Sequence, residues 1–182
     1  MGLASDPFPK VINPPLTCGS RECSLVAGGG ISAHKSVQLT GNGANTENLF
    51  QVTDQVRVMQ LYLVVTAVGD STTFSNVKFE TDDGTAQSNI SAVVDCSGAV
   101  AGASVRKTGA FAAALVFLNA AAGGVAESAF NKANFEFDMV QKTGDVATYI
   151  RLSYTGDATT DVTVSAVCFY EPLYSTSKLE AV

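Results

Sequence analysis

Residues able to do chemistry are few and scattered in this 182-residue chain. Its one histidine, His34, follows the flexible Gly28-Gly29-Gly30 joint. A His-based metal site wants a second histidine, and a Ser/His/Asp triad wants its histidine held by packed neighbours. His34 meets neither need and is expected to be a solvent-exposed linker residue. Glu136 and Asp138 stand two apart, so on a strand their side chains point the same way. Glycosidases use carboxylate pairs, but from segments facing one another across a cleft. A solvated strand face is the simpler expectation here. Asp82-Asp83-Gly84, and Asp157 with Asp161, place carboxylates at loop ends without calcium-loop spacing, and read as turn chemistry. There is no GxSxG, no P-loop and no GxGxxG opening a helix. The expectation is a protein that is not an enzyme, with no catalytic residue, bound metal or cofactor.

The four cysteines are Cys18, Cys23, Cys96 and Cys168. Cys18 and Cys23 have the spacing to close a small disulfide loop or supply half a zinc site, but no second CxxC or histidine pair completes one. Cys168 falls on the inward phase of a strand and is expected to be a buried small hydrophobe. Cys96 ends a strand and is undecided. With no signal peptide at the start, MGLASDPFPKVINPP, thiols are expected to be reduced. Tryptophan is absent, and of the five tyrosines only Tyr149 and Tyr62 are phased away from the core within strands. A sugar-binding face usually needs more stacking surface than that.

Composition bounds the rest. Charged residues make up 15% of the chain, below the ~25% usual for globular domains. The net charge is −6 and the sequence pI about 4.6, which argues against broad electrostatic binding to nucleic acid or an anionic membrane. No apolar run reaches the roughly 18 residues of a membrane-crossing helix.

The elements that would position any site are strands. Residues 56–68, VRVMQLYLVVTAV, form the longest apolar run and read as a central strand. Met59, Leu61, Leu63, Val65 and Ala67 share one face, which is expected to be the core face. Such a strand would span about 43 Å, long enough to predict a bulge or bend. Shorter alternating strands are expected from Ser36 to Thr40, around Phe50 and Val52, over residues 76–81 and through Ile90, Ala92 and Val94. Residues 111–118, FAAALVFL, fit a buried strand over 115–118 or a short helix, and the strand is preferred. Three more strands carry Phe135, Phe137 and Met139; Ile150, Leu152 and Tyr154; and Val162 through Tyr170, stopped by Pro172. Roughly eight or nine strands joined by Gly/Asp turns predict an all-β fold, a two-sheet antiparallel β-sandwich of jelly-roll type. Residues 36–173 make that domain. Residues 1–35 are expected to be an extended N-terminal arm punctuated by Pro7, Pro9, Pro14 and Pro15, and residues 174–182 a short C-terminal tail. Phe8, Val11, Ile12 and Leu16 make the arm more apolar than a solvated tail, and mark it as a partner-binding segment.

Three stretches, ENLFQVTDQVRVMQLYLVVTAV (47–68), NVKFETDDGTAQSNIS (76–91) and DVTVSAVCFYEPL (161–173), resemble small all-β virion proteins of tailed bacteriophages, including capsid decoration proteins. Asp54 stands where those proteins commonly carry glycine. The resemblance implies a non-enzymatic structural protein of a virus particle, located in the virion. It would assemble in many copies with other virion proteins, the major capsid protein foremost, as a homo-oligomer that contacts neither nucleic acid nor membrane. The competing expectation is a ligand-binding module or adhesin that recognises a receptor or carbohydrate.

Overall fold

The computed structural model describes residues 31–69, 73–107, 113–119, 136–142 and 146–182. Among them are eleven strands and no helix: β1 (Ile31–Thr40), β2 (Gly43–Thr53), β3 (Gln55–Val68), β4 (Ser75–Asp82), β5 (Gln87–Asn89), β6 (Ser104–Lys107), β7 (Leu115–Leu118), β8 (Phe137–Val140), β9 (Thr148–Gly156), β10 (Asp161–Pro172) and β11 (Lys178–Ala181). They form two sheets. The first runs β1-β10-β3-β6-β7, with β8 also paired to β3; the second runs β11-β2-β9-β4-β5. Every pairing is antiparallel.

Period-two alternation builds these sheets. On β10, Val162, Val164, Ala166, Cys168 and Tyr170 are buried; on β9, Ile150, Leu152 and Tyr154 are. Inward residues of both sheets, among them Leu63, Phe50, Phe79, Leu152 and Val164, belong to one hydrophobic cluster. Tyr154 packs edge-on against Phe74 with ring centres 6.0 Å apart, and its hydroxyl donates to the Thr40 carbonyl at 2.8 Å. That bond answers the need of a buried phenol for a polar partner.

The central strand carries the expected irregularity, twice. Val58 pairs Tyr170 and Gln60 pairs Phe169, so Met59 is an extra residue; Val65 pairs Val164 and Ala67 pairs Thr163, so Thr66 is another. Each bulge shifts the inward phase by one residue. The core face is therefore Val56 and Val58 before the first bulge, then Leu61, Leu63 and Val65. Of the expected core set, Met59 is only half-buried and Ala67 is exposed. The β2–β3 link is a single residue, Asp54, with φ of 55°. This left-handed conformation favours glycine, and among other residues Asn and Asp. The Gln141 side chain accepts from the Asp54 amide at 3.1 Å, and the Gln141 amide donates to the Asp54 carbonyl at 2.7 Å.

Several expectations are corrected. Residues 174–182 are not simply a tail: β11 pairs β2, with Leu179 opposite Val52 and 4% exposed. The sheet begins before Ser36, because residues 31–35 already pair β10. His34 accordingly stands on a strand, exposed, with Nε2 3.1 Å from the Ser32 hydroxyl. Ile90, Ala92 and Val94 do not form a strand of their own: only β5 pairs β4 there, followed by a single bridge from Val94 to Val77. The arm up to residue 30, with Phe8, Val11, Ile12, Leu16, Cys18 and Cys23, lies outside the described residues, as does Phe135.

Candidate functional site

Both sheets turn a second face outward, and these two faces differ. On the second sheet, register sets the outward side chains in rows. Gln51, Tyr149, Asp82 and Gln87 stand side by side; next come Asn48, Arg151, Glu80 and Asn89; then Thr46, Ser153 and Lys78. All are polar apart from the ring of Tyr149. A bulge in β2 makes the rows continuous: Asn48 pairs Arg151 and Phe50 pairs Ile150, so Leu49 is extra. Leu49 and Phe50 are both fully buried, while Asn48 and Gln51 both reach the outward face.

This face holds a connected charge network. Arg151 Nε donates to Glu80 Oε1 at 2.5 Å, and a second guanidinium nitrogen donates to Asp82. Lys78 Nζ lies 2.9 Å from Glu80 Oε2 and donates to Asn89 Oδ1 at 2.7 Å. The Glu80 and Arg151 side chains are only 4% and 11% exposed, although both point away from the core. Guanidinium and carboxylate cover one another, so neither needs water on its paired edge. Beside the network is an open depression of about 440 Å³, lined by Lys35, Thr46, Asn48, Asp82, Tyr149 and Arg151 among others. Lys35 Nζ is held there by the Asn48 carbonyl at 2.6 Å.

The outward face of the first sheet is aromatic and basic where β3, β6 and β10 meet. The Tyr62 and Phe169 rings stack with centres 6.1 Å apart, and the Arg106 guanidinium lies 4.8 Å from the Tyr62 ring centre. Burial raises the Tyr62 hydroxyl pKa, and the charge of Arg106 partly opposes it.

Asp82, Asp83, Asp138, Asp157 and Asp161, singled out in the sequence, have structural partners. Asp138 accepts from Arg57 Nε at 3.0 Å, and Glu136 stands exposed just ahead of β8. Asp83 accepts from the amides of Thr85 and Ala86 and from the Thr85 hydroxyl; these bonds hold its carboxyl well below the usual carboxylate range. Asp157 accepts from the Thr159 amide at 2.9 Å, and Asp161 accepts from Gln38 at 2.7 Å. No group of three or more His, Cys, Asp or Glu side chains fit to hold a metal occurs among the described residues. Cys96 and Cys168 are both free and buried. Tyr149 and Tyr62 do face outward, one on each sheet.

The chain matches no protein-family model, no curated protein and no solved structure with which it was compared. The Arg151 network was missed in the sequence because its members come from β4, β5 and β9, which no linear motif joins. Two signals for it exist: the Lys78-Glu80-Asp82 alternation, and the Leu49-Phe50 doublet that marks a bulge.

Proposed function

We propose that this chain is a non-enzymatic structural protein of a virus particle, a capsid-associated decoration or auxiliary protein that assembles in many copies. The observation that carries the reading is strand order. Read along the chain, β1, β3, β6 and β10 fall in one sheet as β1-β10-β3-β6, and β2, β4, β5 and β9 in the other as β2-β9-β4-β5. We read eight strands interleaved in this way as the double Greek key of a jelly-roll sandwich, an architecture that viral capsid proteins share with lectins. β7, β8 and β11 are additions at its margins. The resemblance of residues 47–68, 76–91 and 161–173 to phage virion proteins points the same way. So does the low charge content of 15%, which lets copies approach without strong mutual repulsion.

The partners are other virion proteins, the major capsid protein foremost, and further copies of this chain. The arm is their point of contact. Its prolines favour extended backbone, and Phe8, Val11, Ile12 and Leu16 would each gain about 1.5–3 kcal/mol on burial against a neighbour, less the cost of ordering. Deleting residues 2–27 tests this. The truncated protein is expected to keep its melting temperature and to lose attachment to particles in a sedimentation assay. Unfolding of the truncated protein would place the arm in the core, and undiminished attachment would remove it from the contact.

A further inference from the structure

We propose that the outward face of the first sheet, around Tyr62 and Phe169, receives the proline-rich segment 6–16 from the arm of a second copy of this chain. The proposal rests on the reading of the arm as the contact segment, and names the surface it meets.

Register lays out that face. Tyr62 stands between Val167 and Arg106 in one row, with Phe169 and Gln60 in the row on one side and Val64 in the row on the other. A solvated sheet face alternates to polar residues. Here Val167, Cys168, Phe169 and Tyr170 run apolar on both phases of β10, the pattern of a strand covered on both sides. Val167 is only 5% exposed although it shares the outward side with Tyr62, which is half-buried, as are Val64 and Phe169.

The chemistry of the face selects its occupant. Two stacked rings with centres 6.1 Å apart make an apolar platform, and the Arg106 guanidinium, 4.8 Å from the Tyr62 ring centre, holds that ring in place. Extended proline-rich segments dock on aromatic surfaces of this kind, because their backbone is already ordered. Pro7, Pro9, Pro14 and Pro15 lack an N–H, while the carbonyls of an extended segment stay unbonded. Such an occupant needs donors more than acceptors. The exposed Gln60 amide and the Tyr62 hydroxyl supply them, and none of the three rows contains a carboxylate.

The course of the chain points to a second copy. The arm meets the sheet beside this face, where Ser32 pairs Phe169. Fully extended, the stretch from Leu16 to Ile31 reaches roughly 50 Å. Two copies related by a two-fold axis can thus exchange arms, each filling the face beside which the other's arm leaves.

Mixing full-length chains at millimolar concentration, followed by amide NMR, tests the proposal. Isotope-labelled chain carrying Phe8→Ser and Ile12→Ser, its own arm disabled, receives unlabelled chain of unaltered sequence. Amides of Tyr62, Phe169 and Arg106 are expected to shift, and those of Lys78 and Arg151, on the other sheet, to stay. Unlabelled chain with the same two substitutions is expected to shift none. Tyr62→Ala in the labelled chain is expected to weaken the contact about tenfold or more. Gln60→Ala, expected to weaken it about threefold, gives a second reading should Tyr62→Ala fail to fold. Absence of shifts at this face would overturn the proposal. So would equal shifts with the substituted unlabelled chain, which would mean that faces meet without the arm. Arm-dependent shifts that survive dilution of the unaltered chain would assign the face to its own arm and overturn it as well. No other virion protein takes part, so docking seen here stands even if the chain is absent from particles, and attachment to particles through the arm stands even if no docking is seen.

Discussion

Leu63 is fully buried at the middle of β3, opposite Ala166 of β10 and Val105 of β6. Truncation to alanine is expected to cost about 2–5 kcal/mol, read from urea unfolding. A loss under about 0.5 kcal/mol would mean that the bulge at Met59 does not set the inward phase as described. The two core thiols carry a pH dependence. Burial pushes the Cys96 thiol up to about 12, with the Asp95 carboxylate adding to the effect, and burial raises Cys168 as well. An exposed thiol ionises near ~8.5. Between those values the unfolded chain loses a proton that the native chain keeps, so native stability falls as pH rises above about 8.5 and is unaffected below it. Replacing Cys96 by Ala is expected to flatten the alkaline part of the stability–pH curve, and an unchanged slope would contradict the assignment. In a variant with Cys18 and Cys23 replaced by Ser, a thiol reagent is expected to label Cys96 and Cys168 only on unfolding.

Among the elements, those with a single clean alternation were legible from sequence. Val77 and Phe79 on β4, Ile150 through Tyr154 on β9 and Val162 through Tyr170 on β10 all face inward as their spacing predicts. Strand β7 also forms at the expected Leu115–Leu118. What stayed hidden was what breaks the period of two. The length of β3 announced a bulge but not its place, and a one-residue error there reassigned Met59 and Val58. β11 is short and charged, KLEA, so its single inward residue, Leu179, gave no pattern to read. The polar network was illegible for a related reason: its partners meet only through sheet register. β11 offers a direct check. A chain ended after Ser177 loses the pairing with β2 and the burial of Leu179. It is expected to be less stable by about 2 kcal/mol or more, read as a lower urea midpoint at unchanged slope. An unchanged midpoint would return residues 178–182 to the status of a tail.

At the scale of the whole molecule, consecutive strands keep changing sheets: β1 to β2, β2 to β3 and β3 to β4 each cross from one to the other. Inward residues of both sheets therefore share one hydrophobic core among the described residues. The two outward faces differ: the first sheet carries an aromatic and basic cluster where β3, β6 and β10 meet, and the second a polar, charge-paired network. In the function proposed above, the arm and the outward faces are the contacts with neighbours; among the described loops, Asp83 and Asp157 each cap their own backbone. A closed symmetric shell demands copies in a fixed multiple. The central claim is therefore tested most directly by the copy number of this chain in purified virus particles, measured by quantitative mass spectrometry against the major capsid protein. Many copies per particle, in a constant ratio to that protein, are expected. Absence from particles, or a ratio that varies between preparations, would contradict it.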